Sequence, residues 1–370
     1  MDESLRYFDH AASSPMRPAV REALLSIGPI ANPASTHRAG QHASALLEDA
    51  RERIAAAVSA HPTEVVFTSG GTESVNLALK GLWSVDGRIV SAAIEHHATL
   101  DALESLETHG ARIDWIGCSA DSVTDSAAFR DAVTGATLAT ISWANNETGS
   151  LQPVREIAEA AAEAGAAMHI DAVAALGHVP VSFADSGAAA MSLAAHKVGG
   201  PVGVGALLVA RQAQVAPQIH GGGQQRGIRS GTGDVAGALG FAIALEEAMA
   251  ELESERVRLT GFAERIRAAL RIDGVTLTAS ETATLPGVVH CTVDGAHAET
   301  LTFLLDGLGI QASNGSACTA GVVQESHVVR AMGVTGAPLR FSMGWSTTDE
   351  DVAALTAALP TVVERARSSR

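Results

Sequence analysis

Cysteine is scarce in this 370-residue chain: only Cys118, Cys291 and Cys318 are present. Their positions show neither paired nor metal-ligand spacing, which argues against a disulfide framework and a zinc site. Cationic side chains are also few. Lys and Arg number 25 against 41 Asp and Glu, a formal net charge of −16, and this disfavours nonspecific binding to nucleic acid or anionic membranes. Small molecules or other proteins are the expected partners. No apolar run reaches the length of a membrane span, and the longest uncharged one, residues 235–245, falls well short. The opening M-D-E-S-L-R-Y-F has no basic stretch and no apolar core of a signal peptide, so the expected location is the cytoplasm. That compartment would keep Cys318 as a thiol. No internal repeat is evident, and apart from a general richness in alanine there is no low-complexity segment.

What the chain does have is core-forming capacity. It is 46% hydrophobic and 18% charged, enough for a large buried interior divided into two domains. From about residue 63 to 210, short β-rich runs alternate with Ala-rich helical stretches, the pattern of an α/β domain with a mostly parallel sheet. Strands are expected at 64–68, 88–91, 137–143, 167–170, 190–193 and 204–209. Chemistry-bearing residues then fall just beyond strand C-termini, where such sheets bind ligands. A connector helix follows over 234–252, with further helix to about 270. The remainder reads as a smaller α+β domain, with strands at 288–293 and 339–342 and helices at 299–308 and 349–366. The expected division is 13–252 for the large domain, and 1–12 with 253–370 for the small one.

Residues 65–74, V-V-F-T-S-G-G-T-E-S, run from strand through a Gly-rich turn into a helix start. Free N–H groups there, with the Thr72 hydroxyl, make a phosphate cradle; a plain N-cap explains them as well. Asp171 follows an apolar strand, so its carboxylate needs a cationic or hydrogen-bonding partner, for which a pyridinium N–H would serve; capping the next helix is the alternative. His196-Lys197 stands between an apolar strand and a G-G-P turn. A desolvated lysine with a lowered pKa can attack an aldehyde, whereas a surface lysine would do nothing of the kind. Glu95-His96-His97 ends another strand, where an imidazole can stack on a ring and move protons. Asn146 in N-N-E-T-G is a hydrogen-bond donor or part of a simple turn. The segment 220–232 is too polar for a core, and its arginines and Thr232 suit an anion. Arg340, in the apolar P-L-R-F-S-M, suits a substrate carboxylate or an internal salt bridge. Cys318 lies in the Gly/Ser-rich S-N-G-S-A-C-T-A. An acid for a pyridine nitrogen, an amine for a Schiff base and a thiol are the equipment of a pyridoxal-phosphate enzyme with a cysteine nucleophile.

In this order, T-S-G-G-T-E-S, E-H-H, N-N-E-T-G, H-K, R-S-G-T and G-S-A-C resemble the cysteine desulfurase family. This is the NifS/IscS-like branch of the class V, fold-type I pyridoxal-phosphate enzymes, and the resemblance runs from Tyr7 to Gly344. It implies a homodimer that converts L-cysteine to L-alanine and carries the sulfur on Cys318 as a persulfide. A sulfur-acceptor protein or small thiol would collect it, for iron–sulfur cluster biogenesis or for tRNA, DNA or cofactor sulfuration, with no direct nucleic-acid partner. It also implies that Lys197 binds pyridoxal 5'-phosphate and serves as the base, Asp171 pairs with the ring nitrogen, and His96 stacks on the ring. Gly71, Thr72 and His196 would hold the phosphate, Thr232 would reach it across the dimer, and Asn146 and Arg340 would hold the substrate carboxylate. Two departures stand out: Ala174 where the family usually has Gln, and Ala194 where many members have Ser. The alternatives are a related lyase or transaminase acting on selenocysteine or cysteine sulfinate, and a non-catalytic sulfur-relay partner.

Overall fold

A mostly parallel sheet, as expected from the alternation of strands and helices, needs cover on both faces, and the fold supplies it. The protein is described here by a computed structural model, covering residues 5–280, 282–315 and 326–368. Cys318 lies outside the described residues. In chain order the strands are β1 (Arg6–Tyr7), β2 (Val65–Thr68), β3 (Arg88–Ala92), β4 (Arg112–Ile116), β5 (Leu138–Ser142), β6 (Ala167–Asp171), β7 (Ala190–Ala194), β8 (Gly205–Val209), β9 (Val275–Leu277), β10 (Val288–Val293), β11 (Ile310–Gln311) and β12 (Ala337–Ser342). The α-helices are α1 (Pro18–Ser26), α2 (Arg38–Ala57), α3 (Gly71–Leu82), α4 (His97–Glu107), α5 (Ser126–Val133), α6 (Val154–Ala164), α7 (Phe183–Ser186), α8 (Val235–Ala269), α9 (Ala298–Asp306), α10 (His327–Ala331) and α11 (Asp349–Ser368).

Seven strands form the large sheet in the order β2-β8-β7-β6-β5-β3-β4. Only β8 opposes the rest, pairing antiparallel with both β7 and β2. Strands β2, β5, β7 and β8 are buried along their whole length, as helical cover on both faces requires. β4 escaped the sequence reading because it is an edge strand: R-I-D-W-I alternates polar with apolar and is mostly exposed or half-buried.

The small sheet, β12-β10-β9, is antiparallel throughout. Its apolar side, with Val289, Cys291, Leu339 and Phe341, packs with Phe8, Leu259, Phe262, Leu355 and Leu359 into a second core. The connector is one unbroken 35-residue helix, α8, longer than the stretch 234–252 expected as its first part. Its first half joins the large core through Phe241 and Leu245, and its second half joins the small core through Phe262 and Ile266. The N-terminal β1 pairs in parallel with β11, so Phe8 enters the small core although the residues after it lead to the large sheet.

The topology aims five chain segments at one place. β2, β3, β5, β6 and β7 run the same way, and at or beyond their C-terminal ends stand Gly71, His96, Asn146, Asp171 and Lys197.

Candidate active site

Lys197 closes a single 3₁₀ turn, Ala195–Lys197, that stops β7 before the glycine turn. Gly199 has φ of +84°, and a Cβ there would press on Arg17 and on the Pro15 carbonyl, so the turn requires glycine. The lysine is half-buried, and its Nζ donates to the carbonyl oxygens of Ala11 at 2.5 Å and Ala12 at 3.1 Å. The N-terminal segment is itself tied to β12: Ala11 N–H donates to Ser342 Oγ, and His10 N–H to the Ser342 carbonyl. The two sheets therefore meet at this amine.

Asp171 ends β6, 7% exposed, with Oδ1 accepting from Val173 N–H at 2.9 Å. Burial pushes its carboxyl up to about 6, against the opposing pulls of that N–H and of Lys197. Beside it, Glu95 is pushed up to about 7 by burial, partly offset by its bonds from Ser142 and reinforced by the Asp171 charge. His96 caps α4 by accepting from Ala98 N–H at Nδ1, 3.0 Å away, which leaves the hydrogen of the neutral ring on Nε2. Burial and the Lys197 charge hold His96 down to about 4, and the same causes hold His196 near 4. Both imidazoles are neutral at ordinary pH.

At the opposite side stands the start of α3. Gly71 and Thr72 supply its first N–H groups, which have no acceptor within the helix. A Cβ on Gly71 would come within 2.9 Å of Val173 Cγ2, so a side chain there would intrude on this wall. Arg340, on β12 and 2% exposed, donates from Nη1 to the Asn146 carbonyl at 2.7 Å and from Nη2 to Asp9 Oδ1 at 2.8 Å. Its Nε is buried without a partner among the described residues. The Asn145 amide holds the adjoining turn, accepting from the N–H groups of Glu147 and Thr148 and donating to the Ile94 carbonyl; Asn146 is thereby presented beside it.

One cavity of about 350 Å³ collects these groups. Gly71, Thr72, His96, Asn146, Asp171, His196, Lys197 and Arg340 all line it, together with Ala11, Ala12, Ser142, Val173, Ala174 and Gly315. Thr232 does not: it is exposed, in the loop that precedes α8. The arginines of that loop were expected to suit an anion, but they dock the loop on the body instead. Arg226 donates to the Thr63 carbonyl, and Arg229 forks onto Glu73 at 2.8 and 3.2 Å. Of the described cysteines neither lines the cavity, and Cys291 is buried in the small core with its thiol pushed up to about 12. The carbonyls of Ala11 and Ala12, Ser142 and the Asp9 partner of Arg340 received no role from the sequence reading. The Y-F-D-H-A-A stretch was the available signal for the first and last of these.

The residues present fit pyridoxal phosphate. An amine stands near a buried carboxylate of raised pKa that has no cationic hydrogen-bond partner among the described residues, as a pyridinium nitrogen requires. A neutral imidazole borders the space between, and free helix-start N–H groups and a glycine wall suit a phosphate at its end. Among the described residues, no helix is long and apolar enough to cross a membrane.

The aminotransferase class-V family model matches residues 6–355. An IscS-like cysteine desulfurase of Mycobacterium tuberculosis is 44% identical, with 98% of this chain and 97% of that protein aligned. Among solved structures, a NifS-like protein superimposes with a TM-score of 0.90 at 30% identity, covering 98% of this chain and 99% of that one. A second, described as SspA in complex with cysteine, has a TM-score of 0.79 at 30% identity, covering 91% and 98%. With its lysine, carboxylate and helix start gathered as such a cofactor needs them, the chain belongs to the pyridoxal-phosphate-dependent class-V aminotransferase family, in its IscS/NifS-like cysteine desulfurase branch.

Proposed function

We propose that this protein is a cysteine desulfurase that converts L-cysteine to L-alanine and passes the sulfur to Cys318 as a persulfide. The observation that carries this reading is the convergence of Lys197, Asp171, His96 and Arg340 on one cavity at the meeting of the two sheets. The relatives named cysteine desulfurases, and the neighbour described with bound cysteine, support the choice of substrate.

When bound, pyridoxal phosphate supplies an electron sink for the pair left at the substrate α-carbon. The chain's own groups do the rest. The first N–H groups of α3 and the Thr72 hydroxyl bind the phosphate, with His196 beside them. Asp171 would accept a hydrogen bond from the ring nitrogen and keep it protonated, and the His96 imidazole would lie against the ring. Arg340 and Asn146 would orient the substrate carboxylate, the guanidinium having further N–H groups beyond the two given to Asp9 and the Asn146 carbonyl. The Lys197 amine takes the α-proton. The Cys318 thiolate attacks the substrate sulfur, an S–S bond forms, and the C–S bond breaks with its electron pair passing to the β-carbon. That carbon is then protonated. Cysteine and one protein thiol thus become alanine and one protein persulfide.

The reading extends to a homodimer in which the exposed Thr232 reaches the phosphate bound by a second copy, and to a cytoplasmic protein that delivers sulfur to an acceptor protein or small thiol. Iron–sulfur cluster assembly is the expected destination of that sulfur. The chain would divide into 13–252 and 1–12 with 253–370, a division supported by the two hydrophobic cores. The direct test adds L-cysteine to the purified yellow protein under reducing conditions and assays alanine and sulfide. Equal yields of both products, abolished in Cys318→Ala together with the persulfide, are expected. Turnover that survives Cys318→Ala would overturn the persulfide route.

A further inference from the structure

Glu95 is a buried acid for which the chemistry above has no use. It is 1% exposed, yet among the described residues no cationic side chain binds it. Its carboxylate instead accepts twice from one residue: the Ser142 N–H at 2.9 Å reaches Oε1, and the Ser142 hydroxyl at 2.5 Å reaches Oε2. Ser142 is the last residue of β5 and stands in direct register with Asp171, the last residue of β6. Glu95 immediately precedes His96. The bracket therefore joins the turn that carries the imidazole to the strand end that lies beside the carboxylate.

Two further bonds fix the same turn from other directions. The Asn145 side-chain amide donates to the Ile94 carbonyl at 2.9 Å, and His327 Nε2 donates to the Glu95 carbonyl at 2.9 Å. Trp143 N–H also donates to the Asp171 carbonyl at 2.7 Å, locking the two strand ends together. Of these contacts, only the Glu95 bracket acts through the side chain of the turn itself. Burying a carboxylate without a cation is costly, and the fold retains it at a point that adjoins the cavity through Ser142.

We propose that Glu95 is a positioning residue for the cofactor ring, setting the gap between His96 and Asp171 through its double bond to Ser142. The inference rests on the reading of this cavity as a pyridoxal-phosphate site. It concerns shape and not charge. A glutamine can keep both bonds, its carbonyl accepting from Ser142 N–H and its amide donating to the hydroxyl oxygen, whereas an alanine can keep neither.

The test uses purified wild-type protein, Glu95→Gln, Glu95→Ala and Ser142→Ala, each titrated with pyridoxal phosphate. Visible absorption reports binding, and visible circular dichroism reports the seating of the ring in its chiral pocket. A wild-type protein that gives no visible band fails the cofactor reading itself, which separates that failure from failure of the Glu95 inference. The expected result is Glu95→Gln within about threefold of wild type in affinity and in dichroism per absorbance. Glu95→Ala should lose about tenfold in affinity, one buried hydrogen-bond pair at a factor of ten per 1.4 kcal/mol, and at least half of the dichroism. Ser142→Ala, which removes only the hydroxyl bond, falls between them and carries the test if Glu95→Ala does not fold. Unchanged dichroism in both alanine variants would overturn the proposal, as would a Glu95→Gln protein as impaired as Glu95→Ala.

Discussion

The two sheets prepare their shares of the cavity in opposite electrostatic ways. At the large sheet, Asp171 and Glu95 are buried without cationic hydrogen-bond partners among the described residues, and burial raises both carboxyls; His96 and His196 are held neutral beside them. At the small sheet, Arg340 is buried but matched, its guanidinium shared between Asp9 and the Asn146 carbonyl. The large sheet leaves a charge to be answered by a ligand that brings the opposite one. The small sheet brings a cation already compensated, with two of its five N–H groups taken by Asp9 and the Asn146 carbonyl. Cofactor loading should therefore change the energetics of the fold more than substrate binding does.

The largest effect is expected at the junction of the two. Lys197→Ala removes both the proposed cofactor-binding amine and the proposed base, and alanine formation should fall by about 10⁴-fold, the upper end for loss of a positioned acid–base group. A residual rate within tenfold of wild type would place the base elsewhere. On the large-sheet side, Asp171→Asn should cost roughly a few hundredfold in kcat/KM, corresponding to the loss of a buried charge pair.

The same residue gives a pH signature. The Asp171 carboxyl stands at about 6 in the folded protein against an ordinary 3.8, so its contribution to stability is fully present below the ordinary value and is lost as pH rises through 6. The full loss in cofactor-free protein is about 3 kcal/mol, about half of it between pH 5 and pH 8. Denaturant midpoints of wild type and Asp171→Asn, without cofactor, should therefore diverge in favour of the variant as pH rises. With cofactor bound, a pyridinium pairs the carboxylate and the divergence should vanish. Parallel pH curves for the two cofactor-free proteins would remove the asymmetry between the sheets.

On the small-sheet side, Arg340→Ala should raise KM for L-cysteine by about 100-fold and lower kcat by less than tenfold, the split expected of a group that binds substrate. An effect confined to stability would reduce Arg340 to the Asp9 salt bridge. The smallest expected change is a gain. Ala174 lines the cavity where the resembling family carries a glutamine, and Ala174→Gln should restore one hydrogen bond, worth about 0.5–1.5 kcal/mol or roughly two- to tenfold in cofactor affinity or turnover. No change in either quantity would show that the position has been compensated.

Most of the large-sheet site was legible in the chain. Asp171, Lys197 and the Gly71-Thr72 helix start each lie within a few residues of the strand that presents them, so local periodicity places them. β4 was not legible, because an edge strand whose residues are mostly exposed or half-buried resembles a loop. Both ends of α8 were legible, but its continuity was obscured by the charged stretch at its middle, where the helix passes from one core to the other. Arg340 was read with its two alternatives open, and the structure shows the salt bridge while also placing Arg340 on the cavity wall, where the other role would be played. Glu95 was read only as a neighbour of the histidines, since its partner Ser142 sits on another strand.

By itself, then, the sequence determined the alternation of buried strands and helices, the excess of acid, and which residues stand at strand ends, all properties of neighbours along the chain. Only the tertiary structure decided that the carbonyls of Ala11 and Ala12 hold Lys197, that Asp9 answers Arg340 and that Ser142 brackets Glu95. Each of these contacts joins segments far apart in the chain, and their geometry exists only once strand order and register bring the segments within hydrogen-bond reach.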